Sequence, residues 1–261
     1  MFNTTIATQI YAKICFEATN SQKKIIENLS EYLSDDDFSR IFVLNGFAGT
    51  GKTTLIAALV AALKELRIKP VLLAPTGRAA KVLARYCGEQ ALTIHKRIYR
   101  QRTNADYESK FSLDFNREQG AVFIVDEASM LSDSTGDGAL FGSGSLLEDL
   151  VSYVRSGRGC RLILVGDSAQ LPPVGCDFSP ALDPATVSRY GEVVYGLMDE
   201  VVRQQMQSGI LFNATLVRCM LENRIYEIPK FEMDYPDFES VEGGDFMEKL
   251  QDAFDRYGRD E

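Results

Sequence analysis

Two runs of opposite character flank one short loop. Arg40-Ile41-Phe42-Val43-Leu44-Asn45 is a mostly apolar run that reads as a buried strand, and Thr54-Leu55-Ile56-Ala57-Ala58-Leu59-Val60-Ala61-Ala62-Leu63 reads as a helix. Between them stands Gly46-Phe47-Ala48-Gly49-Thr50-Gly51-Lys52-Thr53, which fits G-x-x-x-x-G-K-[ST] at every fixed position. A tight glycine-rich loop opening a helix turns backbone N–H groups inward and aims a helix N-terminus at negative charge, which is what a polyphosphate requires. Gly46, Gly49 and Gly51 let the backbone come that close, Ala48 and Thr50 complete the loop between them, Lys52 supplies a point charge to the β- and γ-phosphates, and the Thr53 hydroxyl suits the shell of Mg²⁺. Thr54 completes the nucleotide-facing stretch and is expected to pack or cap. A glycine-rich turn without ligand is the plainer reading, and the strand before it and helix after it argue against that.

The strand–loop–helix pattern recurs along the chain. Strands are predicted at Pro70 to Pro75, Ala121 to Asp126 and Arg161 to Gly166, with a helix from Arg78 to Cys87. The expected fold is therefore α/β: a P-loop NTPase with a parallel sheet and helices on both faces. A small helical N-terminal element covers residues 1–38, with a break near Ala18-Thr19-Asn20 and Asn20 or Ser21 as the cap of its second helix. The ATPase domain is expected over 39–208, with insertions near 100–119 and 132–145. The first, carrying Tyr107, Phe111, Leu113 and Phe115, reads as a hairpin; the second, with Gly136, Gly138, Gly142 and Gly144, reads as a mobile loop. A helical, acidic segment follows over 209–261.

Net charge is −9, but its distribution matters more than its sum. Between Thr76 and Arg102 lie Arg78, Lys81, Arg85, Lys96, Arg97, Arg100 and Arg102 against Glu89 alone, a band able to grip a phosphate backbone. From Glu222 onward, acids outnumber bases thirteen to five. The five cysteines are far apart and His95 is the one histidine, so buried free thiols are expected in place of a zinc site or disulfide framework. The longest apolar run, Leu55 to Leu63, is too short to span a bilayer, and no secretory signal is evident, so no membrane partner and a cytoplasmic location are expected.

A Mg²⁺-nucleotide site also needs carboxylates at a neighbouring strand end, and Val122-Phe123-Ile124-Val125-Asp126-Glu127 supplies them. Asp126 suits the metal shell, and Glu127 suits polarisation of the attacking water.

Asp126-Glu127-Ala128-Ser129-Met130 and Gly166-Asp167-Ser168-Ala169-Gln170-Leu171-Pro172-Pro173-Val174 resemble the second and third motifs of superfamily 1 DNA helicases of the RecD/Pif type, which include exodeoxyribonuclease V alpha subunits. Asn20-Ser21-Gln22 resembles the glutamine motif, Ala74-Pro75-Thr76-Gly77-Arg78-Ala79-Ala80 motif Ia, Thr93-Ile94-His95-Lys96 motif Ib, and Val201-Val202-Arg203-Gln204 motif IV. The resemblance covers roughly residues 18 to 205 in order.

It implies an ATP-driven motor acting on single-stranded DNA in repair or recombination, moving 5′ to 3′, with ATP and Mg²⁺ as ligands. Gln22 would read the adenine edge, Gln170 would sense the γ-phosphate, and Arg203 would place a guanidinium against it. Thr76, Arg78, Thr93, His95, Lys96, Arg97 and Pro173 would meet the strand, the last on a rigid apolar floor. Such helicases pair two RecA-like domains, and too few residues follow Arg203 for a second. The chain therefore reads as the first motor domain alone, weakly active in isolation, with the second domain and nuclease or helicase subunits as expected partners. A PhoH-like or AAA-type ATPase and a non-catalytic nucleic-acid-binding module remain as alternatives.

Overall fold

The computed structural model describes residues 2–14, 17–103, 109–133, 141–200, 202, 208–238 and 240–257. Helices α1 (Phe2–Lys13) and α2 (Asn20–Ser34) lead into β1 (Ile41–Gly46), α3 (Lys52–Glu65), β2 (Pro70–Ala74), α4 (Gly77–Cys87) and β3 (Ala91–Thr93). A short helix α5 (Ile94–Ile98) opens the hairpin of β4 (Tyr99–Thr103) and β5 (Ser109–Leu113). Then follow β6 (Val122–Val125), α6 (Leu146–Ser156), β7 (Arg161–Gly166), α7 (Pro184–Val187), β8 (Val193–Met198), α8 (Gly209–Glu222) and α9 (Phe246–Tyr257).

Six strands form one parallel sheet in the order β3-β2-β6-β7-β1-β8. The three central strands β1, β6 and β7 are buried along their whole length, as expected where helices cover both faces. Strand alternation divides the core in two. Phe42 and Leu44 of β1 face α1, α2 and α3 through Ile10, Ile26 and Leu59, whereas Ile41 and Val43 face α5, α6 and α7 through Ile98, Leu150 and Val187. The expected RecA-like α/β fold is therefore present. Among the described residues, no helix is long and apolar enough to cross a membrane.

The structure adds elements that the sequence pattern hid. Strand β3 has three residues, and β8 carries Gly196 in its middle. A Cβ on Gly196 would lie 2.2 Å from Ile25 Cδ1, so α2 presses directly on the strand. Helix α6 lies beyond the glycine-rich stretch and is capped by Ser145, whose hydroxyl accepts the Glu148 N–H. The cap of α2 is Thr19, one residue before the expected position, in a reciprocal capping box with Gln22. The 100–119 insertion contains the expected hairpin, in the register Tyr99↔Leu113 to Thr103↔Ser109. Tyr107, Gly136 and Gly138 lie outside the described residues. Cys160 is buried, but Cys219 is exposed and Cys87 and Cys176 are half-buried, which corrects the expectation of uniformly buried thiols.

The chain divides into two units, Met1–Val201 and Val202–Glu261. Within the second, Asn213 braces α8 against the segment that follows it, donating to Gly209 O and Glu232 O and accepting from the Glu232 N–H, each at 2.8 Å. Asp237 accepts from the Ser208 hydroxyl and the Gly209 N–H at the start of the same helix.

Candidate nucleotide site and strand-facing surface

The phosphate loop closes by its own chemistry. Gly49 and Gly51 take φ values of 75° and 85°, a left-handed conformation that side chains disfavour. A Cβ on Gly46 would lie 3.0 Å from both Lys52 Cγ and Met198 Cβ, so the lysine stem folds tightly over the loop's first residue. The Phe47 N–H donates to Met198 O (3.1 Å), tying the loop to β8, and the Thr50 hydroxyl donates to Phe47 O (2.8 Å). Lys52 Nζ donates to Gly46 O (2.5 Å) and Phe47 O (3.0 Å) and lies 3.8 Å from Asp167 Oδ2. Burial lowers the Lys52 pKa, opposed by the charges of Asp167, Asp126 and Glu127.

The acids that oppose it come from two neighbouring strand ends. Asp126 follows β6, and burial raises its carboxyl pKa. Glu127 follows it at φ 55°, an unusual backbone conformation for a residue with a Cβ, and the Glu127 N–H donates to Asp126 Oδ1 (3.0 Å). Burial first, then Asp126, raises the Glu127 carboxyl. Asp167, 3% exposed, follows β7 and orders its own turn by accepting the Ala169 N–H (2.9 Å). A Cβ on Gly166 would lie 3.0 Å from the Ser129 backbone N, so the two acid-bearing turns touch.

Sequence reasoning gave Asp167 no role; its place in Gly-Asp-x-x-Gln was the available signal. It also missed Asn45 beside the loop, which bonds to both Ser168 and Tyr195. Thr53 and Asp126 can supply a hydroxyl and a carboxylate to Mg²⁺, an ion that commonly completes its shell with phosphate and water oxygens. Among the described residues, no group of three or more His, Cys, Asp or Glu forms an all-protein metal cage.

Gln22 lies against the loop with its amide engaged. Its Nε2 donates to Thr50 O (2.9 Å) and its Oε1 accepts the Thr19 N–H (3.0 Å), all with no exposed surface. Thr54 neither packs nor caps: Gly51 is the N-cap of α3 and Thr54 is exposed. Gln170 is exposed, with its N–H donating to Asp167 O (3.1 Å). Arg203, Val201 and Gln204 lie outside the described residues.

The residues expected to meet a strand divide into two sets. Thr76 and Thr93 cap α4 and α5, accepting the Ala79 and Lys96 N–H groups at 3.2 Å, and each hydroxyl keeps its proton for an outside acceptor. Arg78 and Lys96 are exposed and have no ion-pair partner among the described residues. Arg97, in contrast, donates to Glu118 (2.6 Å), which Lys69 also holds. The half-buried His95 ring meets Phe141 edge-on at 5.1 Å and Tyr99 at 5.6 Å, and burial lowers its pKa. Arg97 and the His95 ring are thus occupied within the protein.

Pro173 belongs to a cavity of about 840 Å³ lined by Met130, Ser132 and Ala169 through Val174. Its Leu171 and Val174 are 88% and 102% exposed, which gives an apolar surface on the loop after β7. Met130 also borders a cavity of about 360 Å³ lined by Thr76, Arg78, Ala79, Val82, Asp126 and Glu127.

Fold and site together define a P-loop NTPase-type domain, with Asp167 at the end of the strand beside that of the phosphate loop and Asp126 and Glu127 one strand beyond. The family described as an AAA domain (AAA_30) matches residues 17–211, more than half of the chain, and the chain belongs to that family. It is a motor domain of the superfamily 1 RecD/Pif helicase type. It is 30% identical over 154 residues to the ATP-dependent RecD2 DNA helicase of Deinococcus radiodurans, covering 59% of this chain and 19% of that protein. It is 33% identical over 201 residues to the RecBCD enzyme subunit RecD of Mycobacterium tuberculosis, covering 62% and 32%. The chain thus spans less than a third of either relative's length. A crystal structure of Pif1 helicase from Bacteroides, in complex with ADP-AlF3 and ssDNA, superposes with a TM-score of 0.51 at 18% identity, covering 94% of this chain and 58% of that one, and shares its fold.

Proposed function

We propose that this chain is the first motor domain of an ATP-dependent DNA helicase, binding Mg²⁺-ATP at the Gly46–Thr53 loop and single-stranded DNA on the surface of Thr76, Arg78, Thr93, Lys96 and Pro173. The observation that carries it is the convergence of Lys52, Asp167, Asp126 and Glu127 at the ends of adjacent strands beside that loop. Lys52 neutralises phosphate charge, Glu127 accepts a proton from the attacking water, and Gln170 links the γ-phosphate position to the loop of Pro173. Thr53 and Asp126 would hold Mg²⁺, which would supply charge neutralisation across the phosphates. Gln22 braces the loop through Thr50 O, and because its amide is buried and engaged at both ends it serves the loop instead of the adenine edge first expected of it.

The similar proteins support this reading: one is an ATP-dependent DNA helicase, one is a subunit of the RecBCD enzyme, and the Bacteroides Pif1 helicase was crystallised with ADP-AlF3 and ssDNA. The resemblance of the motifs to RecD/Pif-type helicases extends the proposal to 5′-to-3′ movement, repair or recombination, a cytoplasmic location and partner subunits. Stepping needs two domains that close around nucleotide, so the 261-residue chain alone binds Mg²⁺-ATP, turns it over slowly and does not unwind duplex DNA.

The test measures phosphate release with and without oligo-dT for the parent, Lys52→Ala and Glu127→Gln. The expected result is strand-stimulated turnover that both substitutions reduce by about 10²-fold or more. Turnover indifferent to DNA overturns the motor reading in favour of another P-loop ATPase, and robust unwinding overturns the single-domain part.

A further inference from the structure

Asn45 stands at the end of β1, 5% exposed, immediately before the phosphate loop. Its Nδ2 donates to Ser168 Oγ (2.8 Å) and to the Tyr195 hydroxyl (3.0 Å), and its Oδ1 accepts the Ser168 N–H (3.0 Å). Both amide protons and one oxygen lone pair are therefore used, and the Ser168 backbone contact fixes which end is which. A side chain that donates twice and accepts once is needed here. Leucine has no polar atom, and aspartate lacks the donors.

The three partners belong to three separate strands. Asn45 is the next-to-last residue of the loop strand β1, Ser168 follows Asp167 in the turn after β7, and Tyr195 lies in β8, whose last residue receives the Phe47 N–H. Ser168 also sits between Asp167, which faces Lys52, and Gln170, which begins the apolar loop. Two of the three hydrogen bonds join β1 to the turn after β7 and the third joins it to β8, adding side-chain ties to the backbone pairing of β1 with both strands.

We infer that Asn45, with Ser168 and Tyr195, is a positioning group that ties the phosphate loop to the Gln170–Val174 loop, so that nucleotide and single strand each alter the affinity for the other. The inference rests on the proposed ATP- and strand-binding reading. Coupling between two sites is reciprocal and is measured as a ratio of affinities.

The experiment uses the full 261-residue chain, a fluorescent ADP with Mg²⁺, and labelled oligo-dT, each titrated alone and in the presence of the other. The parent is expected to show a coupling factor of about fivefold or more. Asn45→Ala brings that factor to about one and Tyr195→Phe lowers it partway, while each ligand alone binds as it does to the parent. Tyr195→Phe loses one hydroxyl from a half-exposed ring and keeps the test open if Asn45→Ala does not fold.

Failure of the parent to bind either probe overturns the proposed function and this inference with it. Binding of both without coupling, or coupling that survives both substitutions, overturns this inference alone. Equal loss of the single-ligand affinities makes the group a general structural brace and also overturns it.

Discussion

The two sides of the site are built by opposite means. On the nucleotide side, Gly46 to Thr53 is held by backbone hydrogen bonds, by a lysine stem packed on glycine and by acids whose pKa values are raised by burial. On the side proposed to meet a strand, Arg78 and Lys96 stand exposed, Thr76 and Thr93 offer spare hydroxyl protons, and Leu171 and Val174 present apolar surface. The first arrangement is preorganised for one ligand geometry at the expense of burying charge. The second costs the fold little and tolerates any base, which suits contact to phosphate and stacking in preference to base-edge reading.

That contrast is open to direct attack, and the largest effect concerns folding. Gly166→Ala forces a Cβ to within 2.9 Å of Leu182 Cδ1 and 3.0 Å of the Ser129 backbone. Overpacking of this kind costs about 1–3 kcal/mol, and each kcal/mol lowers Tm by roughly 2–4 °C at this size. Val174→Ala, on the exposed side, stays within about 0.5 kcal/mol. Thermal melts that rank the two variants the other way break the comparison.

A smaller effect separates neighbours within the basic band. Lys96→Ala removes one free charge and should reduce the slope of log affinity for oligo-dT against log salt by about 0.7. Arg97→Ala should leave that slope alone, because its charge is held by Glu118, and should cost about 0.2–1 kcal/mol of stability, as partly exposed ion pairs do. Titrations at several salt concentrations decide this, and equal slope changes for the two would place Arg97 on the strand after all.

The finest test concerns pH. Because burial raises the Asp126 carboxyl above its unfolded value, the folded chain binds that proton more tightly and loses stability as pH rises through the raised pKa. Asp126→Asn removes this loss. Its Tm should exceed the parent's near neutrality, and the difference should vanish below the ordinary aspartate range. A variant that melts below the parent at neutral pH would mean that the attraction of Lys52 outweighs desolvation.

Legibility in the sequence followed the range of each interaction. The phosphate loop and the Asp126-Glu127 strand end were readable because each is a contiguous motif whose neighbours in the chain are also its neighbours in space. Asn45 was not, since its partners lie 123 and 150 positions away. Lys96 and Arg97 look alike in the chain, and only Glu118, folded back beside Arg97, distinguishes them. Strand β8 was hidden by Gly196, a poor strand former that the close passage of Ile25 requires. Thr19 was passed over because Asn20 and Ser21 are equally good caps by residue type; the reciprocal bond from Gln22 makes the choice.

The position of β7 between β1 and β6 acts as a ruler. Neighbouring strands stand about 4.8 Å apart, so two spacings, about 10 Å, separate the strand that feeds the phosphate loop from the one that carries Asp126 and Glu127. Backbone spacing of this kind is common to every parallel sheet and does not depend on any side chain. The clearance in which the proposed mechanism lines up a terminal phosphate and a water molecule is therefore set by sheet architecture, and point substitutions in the acids are expected to change the chemistry without changing the gap.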